Sequence, residues 1–195
     1  MIPGLNNSCF YGVLIALCLS TTSLSAQLRD ERTGHYLMEA EKFSPSDSAI
    51  IAHYIGRKAM AFMATDINQQ EQFLGNYAGK LVLLWFGKLD CQTCLEQLMT
   101  LHKIQATHID ELGVIALYDD SREILTTILA DLALNFPVIP NAALLAEGAY
   151  AHDLGYPRLF FLDQTGIIRH IFPASFFEQK PDFSSIIKHY LDQYR

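Results

Sequence analysis

The run Leu81-Val82-Leu83-Leu84-Trp85-Phe86 constrains this chain more than any other stretch, because six consecutive apolar residues leave no side for water. A strand with one wet face alternates polar and apolar residues; a continuous run needs cover on both faces, hence the centre of a helix-covered sheet. Gly113 to Tyr118 (GVIALY) is a second run of this kind. Between them, Leu95, Leu98, His102 and Ile109 fall near one face of a helix beginning at Cys94. Strand, helix, strand in this order builds a right-handed crossover with parallel strands. Asp120 with Glu123 then reads as the start of another helix, continued by Ile124, Ile128 and Leu132.

The C-terminal part changes character. Arg158 to Asp163 and Ile167 to Ile171 are strand-like runs separated by Gln164-Thr165-Gly166, which predicts a hairpin. Phe183, Ile187, Tyr190 and Leu191 mark a closing amphipathic helix. Upstream, Ser44-Pro45-Ser46-Asp47 introduces a helix over 48–58, and Phe62 to Thr65 and Glu71 to Phe73 read as short strands around Asn68-Gln69. A βαβ half joined to a ββα half, with Cys91-Gln92-Thr93-Cys94 where the first buried strand meets a helix, is the layout of a thioredoxin fold. This is an α/β fold with a central mixed β-sheet flanked by helices. With 195 residues, 50% of them hydrophobic and 18% charged, the chain suits one globular core.

Met1 to Ala26 contain no Asp, Glu, Lys or Arg, and the apolar stretch Cys9 to Leu19 is followed by small residues ending at Ala26. This order predicts a signal peptide over 1–26 with cleavage before Gln27, an N-terminal extension over 27–57 and a thioredoxin-like domain over 58–195. The apolar stretch is shorter than the ~20 residues that cross a bilayer. Membrane attachment therefore requires a retained leader or a lipid on Cys18. Export places the protein outside the cytoplasm, periplasmic or secreted, and leaves Cys91 and Cys94 as the cysteines of the mature chain. There the pair can alternate between dithiol and disulfide. The net charge of −7 argues against a nucleic-acid partner, which requires clustered cations.

A cysteine at a helix N-terminus faces unpaired backbone N–H groups and the positive end of the helix dipole, so its thiolate is favoured. Cys91 is that residue. Cys94, one turn inward, is placed to attack a mixed disulfide formed on Cys91. Lys88 adds positive potential and Asp90 opposes it, which makes both candidate modulators. The alternatives are a static disulfide or a zinc site, whose two further ligands only histidines could supply. His102, His108, His152 and His170 lack ligand spacing, and no metal or other cofactor is expected. A copper-relay protein would draw on the two cysteines and His152 or His170. Met60, Met63, Phe172, Phe176 and Phe177 read as packing.

From Gly56 onward the chain resembles the exported thioredoxin-like disulfide oxidoreductases of the TlpA and ResA type. Gly56-Arg57-Lys58-Ala59-Met60-Ala61-Phe62 resembles that family's entry segment, with Met60 where proline is usual. Leu74 to Phe86 resembles the approach to the active site, and Gly155-Tyr156-Pro157 followed by Arg158 to Asp163 resembles the cis-proline segment and next strand. The resemblance implies exchange with protein thiols or disulfides, weakly favoured as reduction, and a redox-recycling partner. It also implies that Tyr156 and a cis Pro157 lie beside Cys91 as substrate-binding residues. Arg158 stands where the family more often has threonine, making it a third candidate modulator. The departures are specific: Asp90 replaces the usual tryptophan before the first cysteine, Trp85 stands where thioredoxins bury an acid, and Gln97 replaces the acid of ResA-like proteins. Lys88 stands where a peroxiredoxin has threonine. The alternative reading is a thioredoxin-fold binding module without redox turnover.

Overall fold

The computed structural model describes residues 29–30, 35–36, 43–179 and 182–194; the leader and the position of Gln27 lie outside them. Among the described residues no helix is long and apolar enough to cross a membrane. A two-residue pair, β1 (Arg29–Asp30) and β2 (His35–Tyr36), runs antiparallel. Helix α1 (Pro45–Tyr54) begins earlier than the sequence suggests. Ser44 caps it by accepting a bond from the Asp47 amide at 3.0 Å, and proline occupies the first helical position, where its missing N–H costs nothing. Its residues Ile50, Ile51 and Tyr54 pack against the body that follows, so this part of the 27–57 extension is docked on the domain.

Strands β3 (Met63–Thr65) and β4 (Glu71–Phe73) form a hairpin in register Ala64 with Gln72. Buried Asp66 fixes its turn by accepting bonds from the amides of Asn68 and Gln70 and the side chain of Gln72. There follow β5 (Leu81–Gly87), α2 (Gln92–Thr107), β6 (Leu112–Tyr118), α3 (Arg122–Leu129), β7 (Val138–Ile139), α4 (Ala143–Ala149), β8 (Arg158–Leu162), β9 (Ile168–Phe172), α5 (Ala174–Glu178) and α6 (Phe183–Tyr194). The main sheet has the order β7-β6-β5-β8-β9. Strand β5 is central, parallel to β6 and antiparallel to β8. All seven residues of β5 and of β6 are buried, as continuous apolar runs demand.

Alternation along β5 sorts its side chains into two layers. Leu81, Leu83 and Trp85 face Cys94, Leu98 and Leu101 of α2, Phe176 and Phe177 of α5, and Phe183, Ile187, Tyr190 and Leu191 of α6. Val82, Leu84 and Phe86 face Ala146, Tyr150, Leu154 and Phe160. At the far end of the sheet, the Asp163 carboxylate closes the β8–β9 turn. Burial pushes its pKa up, but bonds from the Thr165 hydroxyl, the Ile167 and Thr165 amides and Arg169 outweigh this and hold it below the usual carboxylate range.

Several expectations are corrected. Helix α2 starts at Gln92 and buries Cys94, Leu98, Leu101 and Gln105, leaving Ile109 beyond its end and exposed. Helix α3 is capped at Ser121 instead of Asp120 and buries Leu125 and Leu129; Ile124 and Ile128 are about half exposed, at 50% and 48%. Met60 and Met63 are exposed and do not pack in the core, whereas Phe172, Phe176 and Phe177 are buried.

Candidate active site

Parallel strands β5 and β6 both point their carboxyl ends toward the start of α2, the end of an open α/β sheet where clefts form. Cys91 is the N-cap of α2 and is half-buried; Cys94, in the first turn, is fully buried. The two are joined by a disulfide with Cα atoms 5.2 Å apart. The Cys94 amide is shared between the Cys91 carbonyl at 3.0 Å and Cys91 Sγ at 3.2 Å, so an N–H of the first helical turn is already directed at this sulfur. That interaction strengthens when the sulfur carries charge, which favours the thiolate of the reduced pair.

The loop between β5 and α2 is held from two sides. The Cys91 amide donates to the Lys88 carbonyl at 3.3 Å. The Leu89 amide donates to Asp120 Oδ2 at 2.9 Å, which is why Asp120 does not cap α3. Lys88 Nζ lies 3.7 Å from Asp119 Oδ2 and 4.6 Å from the centre of the Tyr156 ring. The Tyr156 hydroxyl donates to the same Asp119 oxygen at 2.6 Å. Burial, together with Asp119, pushes the Tyr156 phenol up to about 12 against the opposing pull of Arg158. The peptide bond from Tyr156 to Pro157 is cis. The cysteine loop and the Tyr156-Pro157 segment thus meet across Asp119. Asp90 is exposed at the loop surface.

Arg158, the third candidate modulator, is fully buried. Its ladder partner is Phe86, so its side chain enters the layer opposite the one that contains Cys94. There Nε donates to the Tyr150 carbonyl at 2.8 Å and Nη1 to the Gly155 carbonyl at 2.9 Å. The guanidinium lies 4.5 Å from the Phe86 ring centre and 4.7 Å from that of Tyr156. Arg158 therefore clamps both ends of the loop before Pro157, and Tyr156 links it to the cysteine side.

On the cysteine side, Trp85 fills the position compared above with a buried acid, and its Nε1 and the Tyr118 hydroxyl are buried next to one another. Burial raises the Tyr118 phenol above its ordinary value. Glycine is required between them: a Cβ at Gly87 would stand 2.9 Å from the Tyr118 ring and 3.2 Å from Trp85 Nε1. Gln97, in the other position where an acid was sought, has a buried side-chain oxygen without a partner.

His152 and His170 are not brought to the cysteines. His152 lies in the turn 152–154, with its ring 6.0 Å from that of Tyr156, and His170 Nε2 pairs with the Tyr190 hydroxyl at 2.9 Å. Among the described residues no three His, Cys, Asp or Glu side chains are grouped to hold a metal ion. The functional residues that sequence reading missed are Asp119 and Asp120. Their signal was available: two adjacent carboxylates directly after a buried parallel strand.

A thioredoxin fold with a redox-capable cysteine pair at the start of its first sheet-covering helix defines a thioredoxin-like thiol–disulfide oxidoreductase. The AhpC/TSA family model matches residues 55–171, and the chain belongs to that family. It is 27% identical over 120 residues to the thioredoxin-like protein YneN of Bacillus subtilis, covering 60% of this chain and 69% of that protein. Among solved structures, the exposed lipoprotein thioredoxin of Streptococcus pneumoniae superposes with a TM-score of 0.58 at 21% identity, covering 69% of this chain and 99% of the other. A thiol:disulfide interchange protein of the thioredoxin family from Chlorobium tepidum gives 0.55 at 19% identity, covering 70% and 97%. These two likenesses bear on the fold.

Proposed function

We propose that the protein works outside the cytoplasm, reducing disulfides of polypeptide substrates through Cys91 and Cys94. The observation that carries this reading is the asymmetry of the pair: Cys91 is half-exposed at the helix cap with an amide directed at its sulfur, whereas Cys94 is buried one turn inside. In the reduced protein the Cys91 thiolate attacks one sulfur of a substrate disulfide, forming a mixed disulfide and releasing the other substrate sulfur as a thiolate. Cys94 then loses its proton and attacks Cys91 Sγ. The Cys91–Cys94 bond forms, the mixed disulfide breaks, and the second substrate thiolate leaves. Two electrons pass to the substrate, whose thiolates take up two protons. A dithiol donor protein must return two electrons to Cys91–Cys94.

Tyr156 touches Lys88 of the cysteine loop, and in this reading Tyr156 and Pro157 serve as the backbone against which an extended substrate segment lies. Local charge supports the reducing direction. A cation held near a thiolate stabilises the reduced pair and makes it more oxidising. Here Lys88 is engaged by Asp119, and Arg158 is turned into the opposite layer. Residues 1–26 direct export in this reading, and 27–57 precede the catalytic domain. The test is insulin reduction by dithiothreitol together with a redox titration of the pair. Catalysis above the uncatalysed rate is expected, with a potential nearer about −270 mV than about −120 mV. Absence of catalysis rejects the activity, and a potential at the oxidising end rejects the direction.

A further inference from the structure

Asp119 lies outside the cysteine loop and outside the Tyr156-Pro157 segment, yet one of its oxygens is the point at which they join. Oδ2 accepts the Tyr156 hydroxyl at 2.6 Å and stands 3.7 Å from Lys88 Nζ. Lys88 in turn lies 4.6 Å from the Tyr156 ring centre, closing a triangle of three side chains from three separate loops. The carboxylate is mostly shielded, its side chain 18% exposed, which strengthens a charge-assisted bond relative to one in open water. Its mounting is rigid. Asp119 directly follows β6, Tyr118 is fully buried, and Asp120 is tied through its carboxylate to Leu89 and through its carbonyl to the Asn141 amide.

From this geometry we infer that Asp119 is a positioning residue for exchange with polypeptides, locking the Tyr156-Pro157 segment against the cysteine loop. The inference rests on the exchange activity proposed above. An extended substrate must contact both loops at once, so its apparent affinity falls by the fraction of time the two are out of register. Asp119 sets that fraction. A small disulfide needs only the half-exposed Cys91 and is indifferent to the lock. Asp119 therefore governs KM for large substrates, and any effect it has on the sulfur through the charge of Lys88 is common to both classes of substrate.

The test uses the full chain and two probes, insulin and dithiobis(nitrobenzoate). Asp119→Ala is expected to raise KM for insulin about tenfold with little change in kcat, whereas the rate with the small disulfide, which reads only the charge of Lys88 released from Asp119, changes much less. Asp119→Asn, which keeps an acceptor for the Tyr156 hydroxyl but loses the attraction for Lys88, is expected to fall between. Tyr156→Phe removes the same hydrogen bond, so combining it with Asp119→Ala should add little to the larger single effect. An unchanged KM, additive effects, or equal losses with both probes would overturn the inference while leaving the exchange activity standing. If the unaltered protein reduces neither probe, the activity itself is wrong and the inference falls with it.

Discussion

The two layers that cover the sheet are built from different materials. The cysteine side is aromatic at depth, with no Arg, Lys, Asp or Glu among its described core residues: Trp85 meets Phe177 edge-on at 5.2 Å, Phe172 meets Phe176 at 4.8 Å, and Phe161 meets Tyr190 at 5.5 Å. The opposite side also carries rings, with Phe86, Tyr150 and Phe160 mutually within 5.7 Å, but the buried guanidinium of Arg158 lies against Phe86. The difference shows how this fold separates two demands. Disulfide exchange needs a sulfur pair whose charge state is set by the helix start, so a fixed cation beneath it would bias the pair permanently. The loop before Pro157 needs a firm anchor, and a guanidinium that can donate several bonds is well suited to hold backbone carbonyls. Placing that anchor across the sheet supplies the rigidity without the bias.

The comparison breaks most visibly at Arg158. Arg158→Ala leaves the carbonyls of Tyr150 and Gly155 without their buried donors and opens a cavity beside Phe86, and a loss of about 3 kcal/mol or more is expected. Arg158→Lys should recover little, because an ammonium cannot span both carbonyls and lie flat on two rings. Urea denaturation of the three proteins checks both statements. Recovery of full stability by lysine would show that charge alone is what the layer requires.

A smaller effect is expected on the cysteine side. Gly87→Ala pushes a methyl into the Tyr118 ring at 2.9 Å, and Tyr118 and Trp85 are both fully buried, so about 1–3 kcal/mol should be lost. The midpoint of urea unfolding should fall with an unchanged slope. A neutral substitution would mean that the packing around Trp85 and Tyr118 is loose, and the contrast between the layers would weaken.

How much of this was legible in the sequence depended on the range of the interactions involved. Leu81 to Phe86 and Gly113 to Tyr118 declared themselves because full burial leaves an unbroken apolar run, and the four residues expected on the inner face of the last helix are those that α6 buries. Strand β7 has two residues, and α4 is alanine-rich with one buried position, so neither carries a readable period. The phase of α3 was misread because Asp120 has a stronger claim from Leu89, a partner 31 residues upstream. The cysteines were legible from local spacing. Asp119 showed only its place after a buried strand, and its partner was hidden, since Tyr156 is 37 residues away in sequence and only the folded sheet brings them together. The burial of Arg158 was hidden for a related reason: a charged residue at the start of a strand gives no sign of which carbonyls will face it.

The central claim is the division of labour between an exposed attacking sulfur and a buried resolving one. It is tested most directly by comparing Cys94→Ser and Cys91→Ser in the full chain, each incubated with a polypeptide disulfide and analysed by non-reducing electrophoresis and intact mass. Cys94→Ser should accumulate a mixed disulfide through Cys91, because nothing remains to resolve it, and Cys91→Ser should accumulate almost none. Equal trapping by the two variants, or trapping through Cys94 alone, would contradict the account.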